Sequence, residues 1–366
     1  MKKMRNAFSF PKWIFFLICV MFILVAIILN GISESIIKKQ DTQQAAERWK
    51  KEGGASQISC FFSVNTNITL ESIEDFEHNL DSALEAASIV VESPHASARL
   101  WADAYSASGK ITVKSNVGNI TVDAIGIGGD FFLFHPLPLL SGSYFSGNDI
   151  MQDYCVLDQD AAWKLFGSNN VVGQTVYIGE VAHIVTGVVK RDESDLHKAA
   201  GLDGALIFVS YTTLDKYGSN NGINHFEIVM PNPVKGYAYD YIKQAISVPE
   251  EELEIIENSS RFTFFNRVKH IGKLSNRSMN GKAIIYPYWE NVARATEDRL
   301  AVLIIFQLLF TAIPVIVISV SLIILWKNKK WTIKSIIIRI KDKLSLNISK
   351  LKQQKKYERQ RKQRND

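Results

Sequence analysis

Two uninterrupted apolar stretches constrain this chain more than anything else in it. From residue 13 to residue 29 every side chain is apolar, and from 300 to 326 none is charged. A helix rises about 1.5 Å per residue, so each stretch is long enough to cross a hydrocarbon layer about 30 Å thick. A core helix of a soluble protein would keep a polar stripe toward solvent, and neither stretch has one. The first is longer than the apolar core of a cleaved leader, and residues 30–34 (NGISE) offer no small-x-small cleavage site. An uncleaved anchor is therefore expected, with spans at 13–31 and 300–326. The second span contains Gln307, Thr311 and Pro314, with Ser319 and Ser321 further on. Pro314 removes a backbone donor, and Gln307 and Thr311 fall on its side of a helix. Such groups need partners in lipid, which predicts a neighbouring helix packed there.

Charge orients the spans. Residues 1–12 carry four cations (Lys2, Lys3, Arg5, Lys12) and no acid, and residues 327–366 carry 15 Lys or Arg against three acids. The net charge of +5 therefore hides an acidic interior between two basic ends. Cations flanking both spans place both termini in the cytoplasm and residues 32–299 outside. The basic tail does not point to nucleic acid; beside a span, it is expected to be drawn to anionic lipid. Ile333, Ile337, Ile340, Leu344, Ile348 and Leu351 recur at helical spacing and predict an apolar face on that tail.

The region between the spans alternates strand and helix patterns. Gln57–Val64 reads as a strand; after Thr69 as N-cap, Ile73, Phe76, Leu80, Leu84 and Ala87 line a helical face. Strands follow at 98–106, 110–115 and 119–127. A second strand–helix–strand set lies at 224–230, 235–246 and 252–256. The two sets predict an α+β fold, a split βαβ layer, with a mostly β insertion over about 120–215. Cys60 and Cys155 allow one disulfide or two small buried residues.

Catalytic and cofactor signatures are absent. No GxxxxGK[ST] occurs, so any ATP hydrolysis is expected from a separate chain, with no cofactor and no metal in this one. Gly126, Gly128 and Gly129 read as a turn, because residues 130–134 do not look like a helix start. Ser35-x-x-Lys38 lacks the companion motifs of a serine acyl enzyme. His95, His135, His183 and His225 are scattered without ligand spacing and read as ordinary core or surface residues. The acidic run 192–197 reads as a solvated loop.

The middle stretch is more specific as an ordered set. Gly142 and Phe145 precede a strand at 156–158; Ala162 and Leu165-Phe166-Gly167 end a short helix capped by Asp158. Gly173 opens one strand, and Gly187-Val188 lies in the next. This order between two spans resembles the MacB-like periplasmic core domain of MacB/FtsX-type ABC transporter permeases. The resemblance implies a porter-like lobe bearing an inserted lobe, and work with a cytoplasmic ABC ATPase subunit. Permeases of that type have four spans where two occur here, so a half permease beside a second, fuller permease subunit is expected. The competing expectation is a two-span extracellular sensor or binding module, against which the short basic tail leaves no room for a signalling domain.

Overall fold

The computed structural model describes residues 12–51, 53–90, 98–274, 282–327 and 341. The chain divides into two compact units, Met1–Ile28 with Gln307–Asp366, and Leu29–Phe306. In the first unit lie the apolar portions of two long helices, Lys12–Lys38 and Tyr288–Lys327. The Phe22 and Phe310 rings meet at 5.5 Å, and Pro314 is buried. Most other apolar side chains there, such as Phe16, Ile27 and Leu325, point outward, as a lipid-facing surface requires. Both helices outrun the stretches 13–31 and 300–326. Composition marks the lipid-compatible part of a helix, whereas backbone hydrogen bonding carries it on through charged residues. The basic flank 1–11 and the striped tail (Ile333, Ile337, Ile340, Leu344, Ile348, Leu351) lie outside the described residues.

The second unit is built on eleven strands: β1 (Ala55–Phe62), β2 (Ala102–Lys114), β3 (Asn119–Gly129), β4 (Leu139–Gly142), β5 (Tyr154–Asp158), β6 (Thr175–Ile178), β7 (Val181–Val189), β8 (Leu206–Ser210), β9 (Ser219–Asn220), β10 (His225–Pro231) and β11 (Leu253–Glu257). They form one sheet in the order β11-β1-β10-β2-β3-β8-β5-β7-β4, with β6 against β2 and β7. The first four pair antiparallel. Helix Leu70–Ala86 connects β1 toward β2, and helix Tyr237–Ala245 connects β10 to β11. This is the split βαβ arrangement, two strand–helix–strand units interleaved in one layer.

Alternation along the strands decides what each face of that layer buries. Ile58, Cys60 and Phe62 of β1 and Phe226, Ile228 and Met230 of β10 pack under the two helices with Phe76, Leu80, Leu84 and Ile242. Thr69 caps the first helix by accepting from the Ser72 N–H at 3.2 Å. Ala87, expected on its apolar face, is instead the exposed residue at which the helix stops. Residues of opposite parity, including Gln57, Ser59 and Glu227, face the other way.

The remaining strands build a second core around Val113, Leu157, Ala162, Leu165, Val188 and Ile207. Two strands expected at 98–106 and 110–115 are one, β2. Gly109 does not break it; a Cβ there would stand 2.2 Å from the Ser219 carbonyl oxygen, so glycine admits the backbone of β9. The turn expected at Gly126, Gly128 and Gly129 is the end of β3. A Cβ on Gly128 would lie 1.9 Å from the Tyr105 ring, and only Gly129 has the positive φ, +63°, that ends the strand. A single helical turn, Phe131–Phe134, follows where no helix start was expected. Its aromatic side chains are held by burial, a tertiary effect that local pattern does not carry. Cys60 and Cys155 are free thiols in separate apolar clusters.

Candidate functional site

The helix Tyr288–Lys327 follows Pro287, whose carbonyl accepts the N–H groups of Glu290 and Asn291. Trp289, Val292, Ala293 and Thr296 of its first turns are buried. On the same turns Glu290, 1% exposed, meets Arg261 from the short helix Asn258–Arg261 that follows β11. The pair is two-pronged: Arg261 Nη1 donates to Glu290 Oε2 at 2.7 Å and Nη2 to Oε1 at 2.8 Å. Arg261 Nε also donates to Glu297 Oε1 at 2.9 Å, and Nη1 to Gln43 Oε1 at 3.0 Å. Gln43 belongs to the segment just after helix Lys12–Lys38. Arg294 extends the network to Glu290 at 2.9 Å and Glu254 of β11 at 2.7 Å, with its guanidinium 3.7 Å from the centre of the Tyr286 ring.

Burial alone would lower the Arg261 guanidinium. Glu290 and then Glu297 outweigh it and hold the charge more firmly than in water. A planar fork bound on two edges fixes orientation as well as distance, which lysine's point charge does not. The fork therefore fixes the orientation of the helix start against the short helix that follows β11.

A second polar layer lies beneath Trp289. Gln57 accepts from the Ala45 N–H and donates to the Thr42 carbonyl, both at 2.8 Å. Ser59 donates to Glu227 Oε1 at 2.5 Å and accepts from Asn258 Nδ2 at 2.6 Å. His135 and His225 flank Glu227, their Nε2 atoms 2.8 and 3.5 Å from its oxygens, and the Trp289 ring packs on both imidazoles at 4.4 and 5.4 Å. Burial pushes the His135 imidazole below its ordinary value, against the opposing pull of the Glu227 carboxylate. Burial would raise the Glu227 carboxyl, but the two flanking imidazoles override it and keep it ionised. Of all side chains described, His135, His225 and Glu227 form the group able to hold a metal ion.

Sequence reading scattered these histidines. His225 and Glu227 carry the one usable signal, a spacing of two on a strand that puts both on one face. His135 joins them across 90 positions, with no spacing to reveal it. His183 is a core residue bonded to Thr213 at 3.2 Å, and His95 lies outside the described residues. Ser35 and Lys38 are exposed at the end of their helix. In the run 192–197, Ser194 caps the five-residue helix Asp195–Ala199.

Apart from Phe145, which packs in the apolar cluster that also holds Phe132 and Trp289, the residues singled out by the ordered motif gather in the second core and its turns. Gly142, φ +75°, pairs with Gly187 where β4 meets β7; a Cβ on Gly142 would stand 2.1 Å from the Thr186 carbonyl oxygen, and one on Gly187 2.5 Å from that of Ser143. Phe145 packs 5.8 Å from the Phe132 ring. Ala162, Leu165 and Val188 are buried and Phe166 half-buried. Gly167, φ +67°, ends the helix Gln159–Phe166, and Gly173, φ +83°, turns toward β6. None of them reaches the junction. In the second span, Thr311 donates to the Gln307 carbonyl of its own helix at 2.6 Å. Its hydroxyl is thus satisfied within its own helix, which takes Thr311 out of the argument for a partner helix.

Comparison with known proteins points in one direction. The family model described as MacB-like periplasmic core domain matches residues 15–237. A macrolide export ATP-binding/permease protein MacB from Agrobacterium fabrum is 32% identical over 107 residues, 28% of this chain and 16% of its own length. Its counterpart from Chromobacterium violaceum is 40% identical over 77 residues, 20% of this chain and 12% of its own. The chain thus spans less than a fifth of these curated relatives. Among solved structures, the periplasmic region of MacB from Actinobacillus actinomycetemcomitans aligns at TM-score 0.36 and 16% identity, over 57% of this chain and 91% of that one. The extracellular domain of the transporter YknZ from Gram-positive bacteria aligns at TM-score 0.35 and 15% identity, over 55% and 99%.

Proposed function

Because the chain belongs to the family of the MacB-like periplasmic core domain, we propose that it serves as an accessory or half permease subunit of a MacB/FtsX-type ABC transporter complex. A separate cytoplasmic ATPase subunit supplies the energy, a second and fuller permease subunit completes the membrane part, and the domain of residues 32–299 relays the motion outside. Both termini lie in the cytoplasm, where the tail 327–366 meets anionic lipid. The observation that carries this reading is the helix Tyr288–Lys327. Without interruption it runs from the buried Arg261 junction through the uncharged stretch 300–326. Motion imposed on its membrane end arrives at an ion-pair clamp and not at a flexible loop.

Co-expression with the products of neighbouring genes tests the reading. A complex that hydrolyses ATP, beside a lone chain that does not, is the expected result. Replacing Arg261 by Lys should leave the complex assembled while lowering ATP-driven output, since the charge stays and the fork is lost. Gln307→Leu should weaken assembly more than the same change at an outward Leu or Ile. A lone chain that recruits no ATPase and is indifferent to Gln307→Leu would favour the two-span sensor instead. An outside-only reporter should work after residue 220 and fail after 330.

A further inference from the structure

His135, His225 and Glu227 bring ligand atoms within 4.8 Å of one another, each side chain about 1% exposed. Their hydrogen-bonding capacity is not used up. His135 Nδ1 and Nε2, His225 Nε2 and Glu227 Oε2 have no hydrogen-bond partner. His135 Nε2 is 2.8 Å from Glu227 Oε2, a close approach that does not make a hydrogen bond of good geometry. Each unmade bond of a buried polar atom costs about 1–3 kcal/mol. An ion held by one His135 nitrogen, His225 Nε2 and Glu227 Oε2 would satisfy three of these four atoms.

The surrounding bonds are those that orient ligands. His225 Nδ1 lies 3.2 Å from Ser106 Oγ, so an N–H there leaves the lone pair on Nε2, facing Glu227. Ser59, itself held by Asn258, fixes the other carboxylate oxygen. His135 Nε2 is 2.8 Å from Oε2 of the carboxylate and His225 Nε2 3.5 Å from its Oε1, so both imidazoles approach the one carboxylate at ligand-like range. Phe61 stacks on His225 at 4.8 Å and Phe131 meets His135 at 4.4 Å, which keeps the spot dry.

We propose that His135, His225 and Glu227 form a structural site for a divalent transition-metal ion. Two imidazoles and one carboxylate, with no thiolate or thioether, match zinc best. The ion would pin the turn after Phe131–Phe134 to β10 directly beneath Trp289. The seat of the long helix would then be set at folding. This goes beyond the proposed transport role and stands independently of it.

The test uses the full chain in detergent, purified without a polyhistidine tag. Elemental analysis should find close to one zinc per chain. After chelation, cobalt(II) should restore visible d–d absorption, and added zinc should displace it. Ser106→Ala, which leaves all three ligands in place, should weaken zinc binding about 10–100-fold. His135→Ala and Glu227→Gln should abolish it; if either fails to fold, Ser106→Ala still decides. Folded wild-type protein that takes up neither zinc nor cobalt would overturn the site and leave a purely hydrogen-bonded triad. Zinc affinity unchanged in Ser106→Ala would overturn it equally.

Discussion

The strands that carry the recognisable motif and the junction under the long helix hold their structure by opposite means. In the motif region, Ala162, Leu165, Val188 and their neighbours fill an apolar core, and glycines such as Gly142 and Gly167 sit where a side chain or a negative φ is excluded. At the junction the buried groups are Arg261, Glu290, Glu227 and two histidines, drawn from positions scattered from 135 to 290. An apolar core tolerates small shifts because dispersion is non-directional. A forked ion pair does not, because its energy depends on angle and on every partner being present. The motif region is built to be a stable body, and the junction to hold one orientation of a helix.

Substitutions can break that contrast. The largest effect is expected from Arg261→Ala, which leaves the buried Glu290 with only its Arg294 Nε bond and should destabilise the domain by about 3–5 kcal/mol in a denaturant titration of the full chain. A loss under about 1 kcal/mol would show the junction to be an ordinary surface pair.

A pH scan probes the motif side. Burial, only partly offset by the N–H groups of Ala161 and Leu206, raises the Asp158 carboxyl to about 6. The protonated form is thus preferred in the fold. Its contribution is complete below the unfolded value near 3.8 and is lost as pH rises through about 6, a change of about 3 kcal/mol. Asp158→Asn keeps an N-cap acceptor for the Ala161 N–H and removes the ionisation. Its melting temperature should gain on the wild type between pH 4 and 7; parallel curves would refute the assignment.

Gly142→Ala should cost about 1–3 kcal/mol, since its Cβ would meet the Thr186 carbonyl at 2.1 Å and φ is +75°. ATP-driven output per folded complex should stay unchanged, which separates body from junction. The smallest effect is expected at Gly167, where φ is +67° but the space is open. Gly167→Ala should cost about 1 kcal/mol in thermal unfolding. A cost equal to that of Gly142→Ala would mean that crowding is not what sets the two apart.

How much was legible follows from the range of each force. Periodicity placed the helix after Thr69 and both strand–helix–strand units, because a helix or strand face is written in residues two to four apart. Asp158 and Gly167 announced a short helix because caps act within one turn. Gly126 and Gly128 misled, because a glycine that admits another side chain or ring looks the same in sequence as one that turns the chain.

The sequence by itself determined the two apolar helices, the α+β layer and the family. Each of these rests on composition or on spacing within a few residues. Only the tertiary structure decided that Gln43, Arg261, Glu290 and Glu297 share one clamp and that His135 reaches His225 and Glu227. Those meetings depend on sheet order, which places β1, β10 and β11 side by side although up to about 200 residues separate them. Buried polar groups are specified by whichever partners the fold delivers, and no local pattern encodes a partner that far away.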